Sequence, residues 1–336
     1  MKLFITKATC FILGFWILSN SLASLADRLA AMDVYGSLQA KELNTLLEKK
    51  DSIQAISLGN SHSGAIDFDT YGMEGQVLAR AGTDLFEVKL YADSVAPLLP
   101  NLETVFIAIS YFSFTKDNVL SEDTQNLRIE LYGMLPTWMP LPGDTKSLIL
   151  GKLHRYFRIM SIVRPDNWQN VFKNALENKT VTEYTPSWSA KTKTLWGECP
   201  HFTQDELDAI GNEIASKAAN NHLKFLRLDP NIPVQSYQAL TDTIEMLQNR
   251  GIRVVLFTPP YFSSYNERFY EIAPEMIESM HLAVDKISAD YNVEYYDAAS
   301  LVEFSTRPEL FYNSDHLNEC GMRAFSEYLK KEKEEQ

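Results

Sequence analysis

The chain has 336 residues, of which 45% are apolar and 22% are charged, an ordinary globular composition that excludes a chain disordered throughout. Its length suffices for one α/β domain with insertions or for two small domains. The formal net charge of −13 at pH 7 argues against nucleic acid or an anionic lipid surface as the main partner, since both are negatively charged.

The first residues have the pattern of an export segment. Lys2 and Lys7 give it a positive start, and a compact apolar run at 8–18 follows. The small-x-small patterns that end at Ala23 and Ala26 are typical of sites where signal peptides are cleaved. We therefore predict that residues 1–26 are a signal peptide or an uncleaved membrane anchor, and that the protein is exported to the periplasmic or extracellular face of the membrane.

The first predicted strand ends in a polar turn. Residues 27–50 have the apolar spacing of a helix, and the short β-branched run at 53–58 predicts a buried strand. It leads into Gly59-Asn60-Ser61-His62-Ser63, where Gly59 permits a tight turn and Ser61 and Ser63 are candidates to cap the next helix. A serine hydroxyl at this edge of a sheet lies close to backbone N–H groups that stabilise a developing oxyanion.

The following elements alternate between strand and helix patterns. We predict a strand or turn around Gly82 leading into a helix within 76–90, a central strand at 103–110, a helix at 236–249, a strand at 252–258, one long helix at 267–291, a short strand at 292–297 and a last helix from 322 to 331. This order predicts an α/β fold, namely a three-layer α/β/α sandwich with a mostly parallel sheet.

Residues 112–234 interrupt this alternation. The stretch is rich in proline and large apolar residues and contains Trp168, Trp188 and Trp196 in polar surroundings. It is too long for an ordinary loop, so we predict an insertion or lid within a single domain of residues 27–336. Two interpretations stay open, because such aromatic residues either bind an acceptor, a sugar or a partner, or fill a small satellite core.

The cysteines do not indicate a metal site. Cys10 lies in the export segment, which leaves Cys199 and Cys320, and their spacing alone does not decide whether they form a disulfide. The chain has no CxxC pair and no Cys/His cluster at the spacing of metal ligands. We therefore predict neither a metal ion nor another cofactor.

A histidine with polar neighbours stands just before the last predicted helix. His316 follows Asp315 directly and lies three residues after Asn313. A serine nucleophile needs a base that takes its proton, and the base needs a partner that fixes its tautomer and stabilises the imidazolium. Ser61 and this stretch together contain all three residue types.

These stretches carry a resemblance to a known family. Gly59-Asn60-Ser61-His62 resembles the first block of the SGNH (GDSL-type) hydrolases, and Asp315-His316-Leu317-Asn318 resembles their last block. The stretch 78–85 is similar to the block whose glycine N–H joins the oxyanion hole, which here is Gly82. The closer likeness is to the extracytoplasmic bacterial branch, in which a membrane segment precedes the SGNH domain, as in DltD-type and polysaccharide O-acetylation accessory proteins.

The resemblance implies Ser61 as nucleophile and His316 as base, but the chain departs from the family at two positions. Asn313 stands where the family has aspartate, so either Asp315 or Asn313 orients His316. The third block of the family offers a side-chain amide to the oxyanion, and here Ser110 or Tyr111 takes that place.

The residues on either side of the nucleophile have less definite roles. Asn60 belongs to the first block and is a candidate to contact the oxyanion or the substrate. His62 either contacts substrate or faces the edge of the sheet.

The family implies acyl transfer. The main hypothesis is an extracytoplasmic serine acyltransferase or esterase that acts on O-acyl groups of a cell-envelope glycan or polymer. The alternative is a catalytically weak, SGNH-like glycan-binding or assembly protein. The expected binding partner is a cell-envelope glycan or an acylated small molecule. In both hypotheses the family branch also implies a membrane-bound O-acyltransferase as a partner, because an exported site has no cytosolic acyl donor.

Overall fold

A computed structural model of the chain describes residues 2–30, 43, 46–79, 83–115, 219–220, 223 and 230–335, with side chains of the first range described for residues 4–21. Gly82, Cys199, most of the predicted helix at 27–50 and nearly all of the predicted insertion lie outside the described residues. By contact, residues 1–48 belong to a different compact unit from the sheet, and the two are described separately.

The N-terminal unit contains one long helix, α1 (Lys2–Ala30). Its segment Phe4–Ser21 is long and apolar enough to cross a membrane, and no other helix among the described residues meets that test. Large apolar side chains of this helix face outward, with Phe4 76% and Phe11 74% exposed, a surface that is unfavourable in water. The helix is compatible with the predicted signal peptide or membrane anchor.

The second unit contains five strands and a series of helices among its described residues. In chain order these are β1 (Ala55–Gly59), a 3₁₀ turn (Ser61–Ala65), α2 (Phe68–Tyr71), β2 (Gly75–Ala79), α3 (Leu85–Val95), β3 (Thr104–Ala108), α4 (Val234–Asn249), β4 (Arg253–Thr258), α5 (Ser263–Ile272), α6 (Pro274–Tyr291), β5 (Glu294–Asp297), α7 (Val302–Ser305) and α8 (Glu319–Glu335).

The five strands form one parallel sheet in the order β2-β1-β3-β4-β5. The register pairs Leu58 of β1 with Ile107 of β3, and Ile107 with Leu256 of β4. This doubly wound order matches the parallel α/β sheet that the sequence predicts, and β3 is its central strand as expected.

Helices cover both faces of the sheet. On one face, the side chains of Phe106, Val255 and Phe257 pack in a core cluster with Phe325 and Leu329 of α8. Strand residues alternate between faces, so the intervening buried residues point to the other side. There α3, α4 and α6 pack on the strands and α4 contacts both of the other helices. The three-layer α/β/α sandwich is therefore confirmed.

The prediction of one long helix at 267–291 is wrong, because the structure has two helices in this range. α5 ends at Ile272 and α6 begins at Pro274. Proline has no N–H to continue the hydrogen-bond ladder, and it disfavours helical geometry in the residue before it. Ala273 accordingly has φ −134° and ψ 47°, so the chain turns at this point.

Gly59 ends β1 in a conformation that suits glycine alone. Its φ is +137°, and a Cβ built at this position would lie 3.0 Å from the Cβ of Ala108 and 3.1 Å from its carbonyl oxygen. The close approach holds the carboxyl ends of β1 and β3 together. Any side chain at residue 59 would therefore strain the backbone and separate the two strands.

We expect Gly59→Ala to lower the free energy of unfolding by about 2–5 kcal/mol, as backbone strain and overpacking act together. Gly251→Ala is the matched control, because Gly251 also has a positive φ, +76°, but nothing lies within 4 Å of the added Cβ. The control should lose only about 1–2 kcal/mol. Urea unfolding of both variants, followed by circular dichroism, measures the difference. Equal losses of unfolding free energy in the two variants would show that the close approach of residue 59 to Ala108 adds nothing to the effect.

Candidate active site

The candidate site lies at the carboxyl edge of the sheet, between β1 and β3. These neighbouring strands lead to opposite sides, since β1 continues to β2 and β3 continues to β4. Open α/β sheets bind ligands at such a switch point, outside the carboxyl ends of the strands. Ser61 lies two residues after β1 and Ser110 lies two residues after β3. The topology therefore brings both predicted site residues to this crevice.

Asn60 shapes the turn that carries Ser61. Its side-chain Oδ1 accepts a hydrogen bond from the His62 N–H at 3.0 Å, and Ser63 Oγ donates to the Asn60 carbonyl at 2.9 Å. Asn60 is thus the cap, and the prediction that Ser61 or Ser63 would cap this element is wrong. Because the Asn60 amide oxygen forms the cap, the Ser61 hydroxyl is not used for capping. Ser61 itself is half-buried, and both of its neighbours in the chain are buried.

The loop before α8 orients His316 through Asn313. Asn313 Oδ1 accepts hydrogen bonds from the N–H groups of Asp315 at 3.1 Å and His316 at 2.9 Å. The same oxygen lies 2.9 Å from Nδ1 of the His316 ring. An amide oxygen only accepts, so Nδ1 carries a proton and Nε2 is the acceptor nitrogen of the neutral ring. That is the tautomer a general base for serine requires.

Asp315 lies between two imidazole rings. Its Oδ1 is 3.3 Å from His316 Nδ1, and its Oδ2 is 3.1 Å from His62 Nε2. Burial alone would raise the pKa of the Asp315 carboxyl, but the charges and hydrogen bonds of His316 and His62 outweigh it and hold the pKa well below its usual range. A buried negative charge therefore stands beside the Nδ1 side of His316.

A buried network links His62 to the ends of β3 and β4. His62 Nδ1 lies 2.6 Å from Ser110 Oγ and 3.2 Å from the Tyr261 hydroxyl. Asn60 Nδ2 donates to the same Ser110 Oγ at 2.8 Å. Burial raises the pKa of Tyr261 well above its usual value, so its hydroxyl stays protonated.

Ser61 and His316 each lie next to residues of this network in the chain. The rings of His62, which follows Ser61, and His316 are 4.9 Å apart between centroids. In the structure, His316 Nε2 is not hydrogen-bonded to Ser61 Oγ. Catalytic hydrogen bonds are often long in unliganded sites and tighten when substrate binds. Ser61, His316 and the Asp315 charge can together form and discharge an acyl-serine.

Six of the nine predicted site residues are linked by contacts at this edge of the sheet, namely Asn60, His62, Ser110, Asn313, Asp315 and His316. Ser61 lies between Asn60 and His62 in the chain and is half-buried. Tyr111 lies deeper, 1% exposed, and its hydroxyl donates to Asn266 at 2.7 Å. Gly82 lies outside the described residues, so its place in the oxyanion hole stays a prediction.

Sequence reasoning missed the contact of Tyr261 with His62. The available signal was its position just after Pro259-Pro260, at the carboxyl end of β4. Parallel strands end at a common edge, so a polar side chain there lies near the ends of β1 and β3. Proximity to the edge did not indicate which residue it would contact.

His62, Asp315 and His316 are the described residues that come closest to a metal-binding group, with ligand atoms within 4.8 Å of one another. Two of their ring nitrogens have hydrogen-bond partners, since His62 Nε2 lies 3.1 Å from Asp315 and His316 Nδ1 lies 2.9 Å from Asn313.

Comparisons with known proteins give little beyond this geometry. No family model matches the chain, and no curated protein matches it. Among solved structures, it is similar to one described as "a putative acylhydrolase" from Bacteroides fragilis NCTC 9343, with 10% sequence identity and a TM-score of 0.39 over 89% of this chain and 96% of that chain. The assignment of the fold rests on the strand order and the two covered faces of the sheet.

Proposed function

We propose that the chain is an exported serine esterase or O-acyltransferase that acts on O-acyl groups of a cell-envelope glycan or polymer. One observation carries the proposal. At the switch point of the sheet, the half-buried Ser61 precedes His62, whose ring lies 4.9 Å from the ring of His316 between centroids. Asn313 binds the Nδ1 proton of His316, so Nε2 is the acceptor nitrogen of that ring. Acyl transfer needs a serine nucleophile and an imidazole base of this tautomer, and the buried Asp315 charge lies next to the base.

The first half of the reaction forms an acyl-enzyme. Ser61 Oγ attacks the acyl carbonyl while His316 Nε2 takes the hydroxyl proton. The carbonyl electrons move to oxygen, and backbone N–H groups of Ser61 and, by the family resemblance, Gly82 bind this oxyanion. Collapse of the tetrahedral intermediate breaks the bond to the leaving alkoxide or thiolate, which receives the proton from His316.

The second half transfers the acyl group. Water in an esterase, or a sugar or polyol hydroxyl in a transferase, attacks the acyl-Ser61 carbonyl and gives its proton to His316. Collapse then restores the Ser61 hydroxyl with that proton. In both halves the imidazolium is transient, and the Asp315 carboxylate 3.3 Å from its Nδ1 stabilises it. The neutral Asn313 amide orients the ring but adds no charge.

Two features support an exported location. The apolar helix α1 suits a signal peptide or an anchor. In addition, Cys320 is disulfide-bonded while Cys10 is not, and disulfides persist in oxidising compartments outside the cytosol. If the enzyme is an O-acyltransferase, it needs acyl groups delivered through the membrane, and by the family resemblance the proposed partner is a membrane-bound O-acyltransferase.

Ser110 favours a second candidate, a weakly catalytic glycan-binding or assembly protein. Its hydroxyl stands where the family offers an amide to the oxyanion, but it is fully buried and bonded to Asn60 and His62. The oxyanion would then lack a side-chain donor, and loss of one such donor costs about 10²–10³-fold in rate. Such a protein would bind acylated glycan with little turnover of its own.

The experiment that tests the proposal is detection of the acyl-enzyme. The full chain, purified in detergent, is mixed with p-nitrophenyl acetate, quenched within seconds and digested for mass spectrometry. An acetyl group on the Ser61 peptide, lost on addition of an acceptor sugar or on longer incubation, is the expected result. A folded protein that releases no p-nitrophenol and carries no acetyl group would contradict the enzyme and favour the binding protein.

A further inference from the structure

His62 makes a contact that the proposed reaction does not use. It follows Ser61 directly, and Asp315 precedes His316 directly. The hydrogen bond between His62 Nε2 and Asp315 Oδ2, 3.1 Å long, therefore joins the neighbour of the nucleophile to the neighbour of the base. We propose that this hydrogen bond is a clamp that sets the position of Ser61 relative to His316, which makes His62 a positioning residue that acts through Asp315. The proposal rests on the proposed function and deepens it.

The hydrogen bonds of the network form a row from Asn60 through Ser110 and His62 to Asp315, and each residue donates to the next. Asn60 Nδ2 donates to Ser110 Oγ at 2.8 Å, and Ser110 Oγ lies 2.6 Å from His62 Nδ1. An ionised carboxylate only accepts hydrogen bonds, so the fitting tautomer of His62 has its proton on Nε2. Its Nδ1 then accepts the Ser110 proton. Each group in the row thus fixes the orientation of the next, from β1 through the end of β3 to the loop of His316.

The clamp is enclosed by protein. His62 and Asp315 are each 2% exposed, and the Tyr261 and Phe112 rings lie 5.1 Å and 6.1 Å from the His62 ring between centroids. The titratable groups that face His62 are Tyr261, Asp315 and His316. Charge-assisted hydrogen bonds are strong in such surroundings. Ser314 Oγ and His316 Nδ1 each lie 3.3 Å from the other carboxylate oxygen, Oδ1. Loss of the His62 donor therefore releases Oδ2 and, in this proposal, lets the loop of His316 move away from Ser61.

This geometry predicts an effect on turnover and not on substrate binding. At 2% exposure the His62 ring offers no surface to a substrate, so its loss should leave KM unchanged. Displacement of a catalytic group by about 1 Å costs about 10²-fold in rate. The predicted contact of His62 with substrate is thereby replaced by an indirect role.

The test compares two amides of different reach at one position. The amide nitrogen of glutamine extends about as far as Nε2 of histidine, whereas that of asparagine extends only about as far as Nδ1. Asparagine therefore leaves Asp315 without this donor, while His62→Gln keeps it. With the full chain in detergent and p-nitrophenyl acetate, we expect His62→Asn to lower kcat about 100-fold with KM within two-fold of wild type, and His62→Gln to stay within about ten-fold of wild type.

Ile277→Ala controls for general loss of stability. Ile277 lies on the buried side of α6, is 1% exposed and has an apolar side chain that takes no part in the hydrogen bonds of the network. Its truncation should lower the melting temperature at least as much as His62→Asn without lowering kcat. Equal kcat values for His62→Asn and His62→Gln, or a loss that appears in KM, would overturn the clamp.

A failure of the proposed function is distinguished from a failure of the clamp by the wild type, which would then form no acetyl-enzyme. If the wild type forms no acetyl-Ser61, the enzyme and the catalytic role of the clamp are both overturned. The hydrogen bond itself is then read from the imidazole N–H resonance of His62 in ¹⁵N-histidine NMR spectra. A protected resonance that shifts in Asp315→Asn shows that the contact is structural only, and its absence overturns the contact as well.

Discussion

Ser61→Ala is expected to abolish turnover of p-nitrophenyl acetate, with a loss of at least about 10³-fold, and to abolish labelling by a fluorophosphonate probe. The reason is that no acyl-enzyme can form without the Oγ nucleophile, and removal of a serine nucleophile leaves only the catalysis supplied by binding and the oxyanion hole. His316→Ala should lose turnover to a similar degree, because the two residues act as a unit. Its labelling should be slowed and not abolished, since the hydroxyl remains but lacks its base.

Two control variants make this result specific. Ser63→Ala removes another hydroxyl of the same turn, one that donates to the Asn60 carbonyl, and His281→Ala removes an imidazole that pairs with Asp297 at 3.0 Å. Neither is part of the proposed machinery, so both should retain activity within about ten-fold, as is usual for residues that do not contact reacting atoms. Labelling that persists in Ser61→Ala, or is lost in Ser63→Ala, would mean that the nucleophile is another residue.

The fold was predictable to a large extent because its signals are local. The strands β1, β3 and β4 are short, largely apolar runs followed by polar residues or proline, as in Phe106–Ser110 and Leu256–Pro260. Alternation of such runs with amphipathic helices requires parallel strands. The break at Pro274 was also a local signal, but the continuous helical spacing on both sides favoured a single helix.

Only part of the site could be predicted from the sequence, because its contacts join residues far apart in the chain. Ser61 and His316 stand in short motifs whose residue types indicate their chemistry. The hydrogen bond between His62 and Asp315 joins residues 253 positions apart, and no periodicity or spacing connects them. For the same reason, the sequence left open whether Asp315 or Asn313 serves His316. In the structure, Asn313 Oδ1 lies 2.9 Å and Asp315 Oδ1 lies 3.3 Å from His316 Nδ1, and we propose that Asn313 accepts the Nδ1 proton while Asp315 contributes charge.

This division of tasks predicts a large effect for Asp315→Asn. The substitution keeps the size of the side chain but removes the charge that stabilises the imidazolium, and we expect kcat to fall by about 10²–10⁴-fold, as for other triads that lose their carboxylate. Asn313→Ala, which removes the acceptor of the Nδ1 proton but leaves the charge, should lose less, about 10–100-fold. Steady-state kinetics of both variants measures which of the two substitutions lowers kcat more. A greater loss in Asn313→Ala would mean that the amide, and not the carboxylate, is the essential partner of His316.

The same substitution should change how stability depends on pH. The pKa of Asp315 lies well below its usual value of 3.8 in the folded chain, so the unfolded chain binds a proton at this residue more readily than the folded chain. The stabilisation by the carboxylate is therefore complete above about pH 5 and is lost as pH falls below 3.8 toward the folded pKa. Wild type should exceed Asp315→Asn in free energy of unfolding by about 1–3 kcal/mol at pH 7, and urea unfolding should show that gap narrowing below pH 4. A gap that does not narrow below pH 4 would contradict a lowered pKa of Asp315, and with it the negative charge that stabilises the imidazolium of His316.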